Sequence, residues 1–472
     1  MLMIREVARE GATPPEFSLE ALAAVVPLAT VDAVIDACGV RERRVRKLPA
    51  VATVFFCIAM NLYASTCLGQ VFAHVVSGLR WLWPHPTAWQ VSTGALCHAR
   101  ARIGARPLVA LFKAVCQPLA TPETPERPAT PGAFFGKWRL LALDGTKWNV
   151  PDTPANERAF GRPVASRGTS AWPQAQVVAL SECGTHALCD AGVWRYDVSE
   201  HVCARRLLRS VGPDTVLTWD RGLHSFDLVV ATRARKAHLL GRVAASVQPD
   251  VVATLRDGTQ LVRLRPSAGR RRRTGEHRLV RLLTYTLDDP ARPGYGEVHR
   301  LITSLLNPRV APAAALVEAY HARWEEELTF DEVETHQRPP RPLRSQTPVG
   351  VLQEIYGLLL AHYVVRAVMV DAATQAPAPL QPLPPTRLSF LTTLRLIQLV
   401  VPELQRTAPA DHPRLYQQLL TDILASPLPR RRNRTNPRVV KRKMSSFRVK
   451  CPAHRHHPQP TKAFRDAIVL AK

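Results

Sequence analysis

Apolar residues recur at helical spacing from about residue 14 to residue 116. FSLEALAAVV, with Ser18 as its N-cap, opens the first predicted helix. A second covers Ala50 to about Phe72. A third covers Gly94 to Val115, where Leu96, Ile103, Leu108 and Leu111 return at intervals of seven, five and three residues. The most apolar stretch, Leu48 to Ala64, is interrupted by Asn61 and is shorter than the roughly 20 residues that a membrane-spanning helix needs, so it reads as a buried helix. From Gln117 to Gly132 the period is lost in a Pro- and Thr-rich segment, which reads as an extended linker.

Beyond the linker the pattern changes to short apolar runs. WRLLALDG (Trp138 to Gly145) is expected to be a strand that stops at Asp-Gly. AQVVALSECG and HALCDAGVWRYD are the next two strands, and a helix covers residues 200 to 211. TVLTWDRG (Thr215 to Gly222) is a further strand ending in an Asp, followed by the helix HSFDLVVATRAR and the strand HLLGRVAA. This alternation predicts an α/β fold. Between Val251 and Asn307, β-rich runs separated by Gly, Pro and Asp-Gly turns predict an inserted antiparallel platform whose basic tip is Arg270 to Arg273. Helices return from Ala311. The expected partition is a helical region over 1–116, a linker over 117–133, an α/β domain over 134–250 and 308–375, a β-rich insertion over 251–307, C-terminal helices over 376–427 and a basic tail over 428–472.

Charge narrows the range of partners. The 472 residues carry 63 Lys and Arg against 38 Asp and Glu, a formal net charge of +25. Such an excess points to a polyanion, DNA or RNA before a membrane surface. The tail holds ten Lys or Arg between residues 430 and 450, a block expected to order on a polyanion. Arg100, Arg102 and Arg106 project from the third predicted helix, either toward phosphates or as a solvated face. The N-terminal residues lack the apolar core of a signal peptide, and the nine scattered Cys fit free thiols in a reducing cytoplasm. Neither Cys183, His186 and Cys189 nor Cys451 with His454, His456 and His457 has zinc spacing.

Three acids stand where chemistry could collect them. Asp144 and Asp220 close apolar strands, at the carboxyl ends where ligands gather in α/β sheets, and Glu327 lies on a helix. Phosphodiester chemistry needs hard oxygen ligands holding two Mg²⁺ ions, with Mn²⁺ as a substitute, about 4 Å apart. Taken singly, the same residues read as a turn, a helix cap and a polar helix face. Lys147 either neutralises a phosphate or faces solvent. Trp148, Trp219 and Trp324 flank the acids and read either as core or as stacking platforms for an extruded base.

The blocks around these acids resemble a known family. LDGTKWNVPDTPANERAFG (Leu143 to Gly161) is similar to the first-aspartate block of insertion element four transposases, VLTWDRGLHSF to the second, and YHARWEEELTFDEVETHQ to the third, with Tyr320, Arg323 and Glu327 at the family's spacing. The resemblance runs from about Phe17 to Lys450. It implies a ribonuclease H-like catalytic domain with a β-rich insertion, an all-α N-terminal DNA-binding domain before it, and C-terminal helices and a basic tail after it. It implies the DDE triad Asp144, Asp220 and Glu327, and cut-and-paste DNA transposition through nicking, a hairpin intermediate and strand transfer. It further implies terminal inverted repeats and target DNA as partners, a homodimer in a paired-end complex, and a bacterial cytoplasm with nucleoid association. Tyr320 and Arg323 would grip phosphates. The family's lysine falls at position 334, where this chain has Glu334, so Arg338 one turn further on is the candidate replacement. A ribonuclease H-like nuclease and a DNA-binding protein with a decayed catalytic site are the alternatives.

Overall fold

The computed structural model describes residues 25–44, 48–78, 91–165, 168–244, 249–266, 275–292, 294–321, 329–404, 407–425, 448–456 and 458–471, together with Val247, 427–428 and 439–440. Its main strands are β1 (Trp138–Asn149), β2 (Gln174–Glu182), β3 (Leu188–Arg195), β4 (Thr215–Trp219), β5 (His238–Val243), β6 (Asp250–Thr254), β7 (Gln260–Leu264), β8 (Arg278–Leu287), β9 (His299–Thr303) and β10 (Ile468–Leu470). Strands and helices mix as the sequence pattern predicts. The chain divides into two compact units, one of Met1–Phe134, Leu143–Ser210 and Glu325–Pro427, the other of Phe135–Ala142, Val211–Trp324 and Leu428–Lys472.

The first unit is built on the 27-residue helix Pro348–Thr374, which is buried nearly all round. A helix apolar on every face belongs in an interior. It is long and apolar enough to cross a membrane, but 94% of its most apolar window is covered by the protein itself. Helices Ala50–Leu62, Arg106–Val115, Phe390–Leu404 and His412–Leu424 pack around it. Gly357 lets Ala50–Leu62 come close, since an added Cβ would lie 2.3 Å from the Cys57 carbonyl oxygen. Asn61, the polar break in the apolar run, donates to the carbonyls of Cys57 (2.9 Å) and Glu354 (3.3 Å) and is satisfied there. In the same unit β2 and β3 form an antiparallel hairpin, and β2 lies beside β1.

Two helices expected here are each divided. The span from Ala50 to Phe72 is two helices, Ala50–Leu62 and Leu68–Gly78. The span from Gly94 to Val115 breaks after Ile103, because Gly104 turns the chain at φ 65° and Pro107 starts a new helix, Arg106–Val115. The helix beginning at Ser18 lies largely outside the described residues. Arg100 fits neither of its expected roles. It is 8% exposed and donates to Gln353 Oε1 (3.1 Å), Ser345 Oγ (2.9 Å) and the Gly350 carbonyl (2.9 Å). Arg102 reaches the Leu48 carbonyl, and Arg106 is exposed. The Pro-rich segment is pinned rather than loose, because Leu119 and Ala120 donate their N–H groups to Glu182 Oε2 at 3.0 and 2.7 Å.

In the second unit the first half of β1 is followed laterally by β4, β5, β9, β8, β7 and β6. β4 and β5 are parallel, and every later neighbour is antiparallel. The β-rich segment therefore extends the sheet through β9. Arg281 is buried within it, paired with Asp257 and donating to Thr259 Oγ1 at 2.8 Å. The run Arg270 to Arg273 lies outside the described residues. The end of the tail is seated as well: β10 pairs with β8, Phe464 stacks on His321 at 3.7 Å, and Asp289 accepts the N–H groups of Thr461 (3.0 Å) and Lys462 (3.2 Å).

Candidate active site

Asp144 does not close its strand, as expected from Asp-Gly, but lies within β1, which continues to Asn149. The physical reason is the glycine. Gly145 is held in the strand with no room for a side chain, since an added Cβ would lie 2.1 Å from Glu200 Oε1 and 3.2 Å from a Val178 methyl. Here the Asp-Gly pair marks a close approach and not a turn. The Asp144 carboxylate is half-buried, and its Oδ1 accepts the Gly145 N–H at 2.8 Å.

Asp220 follows β4 directly, as its apolar run predicts. Its half-buried carboxylate accepts the Leu223 N–H at 2.9 Å, which fixes the turn leading into the helix Phe226–Ala234. The residue before it, Trp219, is fully buried against β5, where Gly241 provides the space: a Cβ there would meet the indole at 2.4 Å. Trp148 is also buried, so both tryptophans belong to the interior and not to a stacking platform. Tyr320, near the end of the helix Ala313–His321, is 5% exposed. Glu327, Arg323 and Trp324 lie outside the described residues.

After them the chain forms a π-helical turn, Glu332–Gln337, a wide turn often found at functional sites. Two of its acids are held in different ways. Glu332 is in the interior, with Arg366 Nε donating to Oε2 at 2.9 Å, His362 Nε2 at 3.0 Å and His186 Nδ1 3.1 Å from Oε1. Burial alone would raise this carboxyl, but Arg366 and His186 hold it well below the usual carboxylate range. Sequence reading does not find this group, whose members lie 146, 30 and 34 residues from Glu332.

Glu334 is half-buried, and its Oε1 accepts both the Thr146 hydroxyl and the Trp148 indole N–H, each at 2.7 Å. Arg338 lies 5.6 Å over the Trp148 ring and donates to the Arg341 carbonyl. Burial pulls its guanidinium below the ordinary value, against the charge of Glu334. Lys147 is exposed, 5.9 Å from the Tyr196 ring. Among the described residues no group of three or more His, Cys, Asp and Glu could hold a metal ion; the sequence-derived triad has its third member outside them. Its donors are all carboxylate oxygens, the set that Mg²⁺ and Mn²⁺ prefer.

Comparison with known proteins gives this constellation a context. Residues 16–113 match the model described as insertion element 4 transposase N-terminal, and residues 136–364 match the transposase DDE domain. The chain is 30% identical over 409 residues to the Escherichia coli K12 transposase InsG for insertion sequence element IS4, covering 85% of this chain and 87% of that protein. It is 28% identical over 144 residues to the putative transposase InsZ of the same organism, 30% of this chain and 45% of that one. Among solved structures, a piggyBac transposase synaptic complex with hairpin DNA aligns over 91% of this chain and 88% of that one, at TM-score 0.41 and 11% identity.

Proposed function

This chain belongs to the insertion element 4 family of DDE transposases, and from that premise we propose that Asp144, Asp220 and Glu327 are the acids that hold its divalent metal ions. As a DDE transposase it is an enzyme of metal-dependent DNA cleavage and strand transfer, and its substrate is DNA. The observation that carries the assignment is that all three acids, in motif order, fall within residues 136–364, the span matching the DDE domain. Strand orders of β3-β2-β1 in the first unit and β1-β4-β5 in the second support a ribonuclease H-like catalytic fold.

Asp144, Asp220 and Glu327 would together hold two Mg²⁺ ions, with Mn²⁺ as a substitute. Bound there, the ions supply an activated water or 3′ hydroxyl and stabilisation of the leaving oxygen. The chain's own contribution is rigidity. The Leu223 N–H orients the Asp220 carboxylate, and the buried Trp219 fixes the strand end that carries it. Attack at phosphorus is in line, without a covalent enzyme intermediate. Arg323 grips phosphates at the transposon end and exposed Lys147 adds a charge, whereas Tyr320, 5% exposed, sits in the interior as Arg100 does. Arg338 keeps donors beyond its bond to Arg341 for the same purpose. The reaction is cut-and-paste movement through a hairpin, carried out at terminal inverted repeats by a homodimer that pairs two ends, in the bacterial cytoplasm at the nucleoid.

The test is single substitution. Asp144→Ala, Asp220→Ala and Glu327→Ala are each expected to bring strand cleavage down to the metal-free level while DNA binding persists. Cleavage retained by any one of them removes that residue from the triad.

A further inference from the structure

We propose that Glu334 is a positioning residue that locks the strand carrying Asp144 to the segment that follows Glu327. The inference rests on the triad proposed above. Side chains on a strand alternate between faces, so Asp144, Thr146 and Trp148 share one face of β1. Glu334 Oε1 takes a hydrogen bond from two of the three, Thr146 Oγ1 and Trp148 Nε1, both at 2.7 Å. In sequence Glu334 lies seven residues after Glu327 (334 − 327). A single oxygen thereby ties the backbone just beyond one proposed metal ligand to the chain just beyond another.

The chemistry of the contact explains the residue type. Both donors are neutral, and each points its hydrogen at the same oxygen, so position 334 needs an acceptor there. Lysine brings only donors. The Thr146 hydroxyl could turn to accept from it, but the indole N–H, which only donates, would face an ammonium group, with the Arg338 guanidinium already over the Trp148 ring. Glutamate at this position is thus a built contact and not a mark of decay. Its charge is not required for the contact, because the amide oxygen of glutamine accepts the same two bonds.

Three substitutions at Glu334 in the full chain, a double variant of its partners and a control at Asp144 separate this role from others. Cleavage would be measured on a labelled duplex carrying the inverted repeats that flank its gene, with Mn²⁺ titrated. Glu334→Ala and Glu334→Lys should lower the cleavage rate and raise the Mn²⁺ midpoint by about 10- to 100-fold, the range for residues that orient metal ligands, while affinity of the alanine variant for the duplex stays within about twofold. Glu334→Gln should restore both values. Thr146→Val combined with Trp148→Phe, which removes the donors instead, should reproduce the alanine phenotype. A Glu334→Lys protein as active as the parent, or a Glu334→Gln protein as impaired as the alanine variant, would overturn the proposal. Asp144→Ala in the same assay isolates the premise. If it cleaves, the triad fails; if it is inactive while Glu334→Lys is fully active, only the positioning role fails.

Discussion

At Gly241 an indole occupies the place of a side chain, and the consequence reaches the site one residue away. An added methyl would lie 2.4 Å from Trp219, which is fully buried and directly precedes Asp220. Gly241→Ala should lower stability by about 1–3 kcal/mol, the usual cost of overpacking, read as a shift in denaturant midpoint, and should reduce cleavage with it. An unchanged midpoint would mean that the strand end adjusts freely. Arg100 makes the opposite case. Removing its guanidinium leaves Gln353 Oε1 without its donor in the interior, while Ser345 Oγ keeps its bond to Glu354, so Arg100→Ala should destabilise by roughly 1–3 kcal/mol for the unsatisfied group. A loss of DNA affinity without a loss of stability would restore the phosphate-contact reading. Nothing in the sequence separates Arg100 from Arg106, because helix periodicity alone does not tell which arginine meets Gln353, 253 residues away.

Among the elements, the buried group around Glu332 joins the π-helical turn, the β2–β3 hairpin through His186 and the long helix through His362 and Arg366. Glu332→Ala leaves Arg366 buried without its counter-ion and should cost about 3–5 kcal/mol. The same group sets a pH dependence. Burial lowers the pKa of His362 below its ordinary 6.5, so the unfolded chain binds that proton more readily, and stability falls as pH drops below that value. Glu332 adds a second loss lower down, since its depressed carboxyl stabilises fully above the ordinary 4.5 and loses that contribution as pH falls beneath it. Thermal melting between pH 7.5 and 4 should show both; a melting temperature flat across about pH 6.5 to 5 would contradict the lowered pKa of His362. The elements themselves were legible where the pattern was local. β4 ends before Asp220 as its apolar run predicts, whereas β1 runs past Asp-Gly because Glu200 and Val178, distant in sequence, pack on Gly145. Gly104 and Pro107 were visible as breakers, but the apolar period across them masked the break.

For the whole molecule, the net charge of +25 and the DDE match make DNA binding strongly electrostatic. With six to ten phosphate contacts, affinity should fall by about 10³ to 10⁵ between 50 and 200 mM salt, a slope that a titration of binding against salt reads directly. A slope near zero would argue against phosphate contacts as the main source of affinity. The family was legible in three short blocks whose residues keep their order and spacing, because catalysis constrains residue types as well as the pattern. The role of Glu334 was not legible, because its partners Thr146 and Trp148 come from a strand 188 and 186 residues earlier in the chain. The most direct test of the account is strand cleavage of a labelled duplex bearing the inverted repeats that flank this gene, with Mg²⁺ or Mn²⁺, beside the Asp220→Ala protein. Nicks or hairpins at the repeat boundary that vanish in the variant and without metal are the predicted result. Cleavage that persists in the variant, or that shows no preference for the repeat boundary, would contradict it.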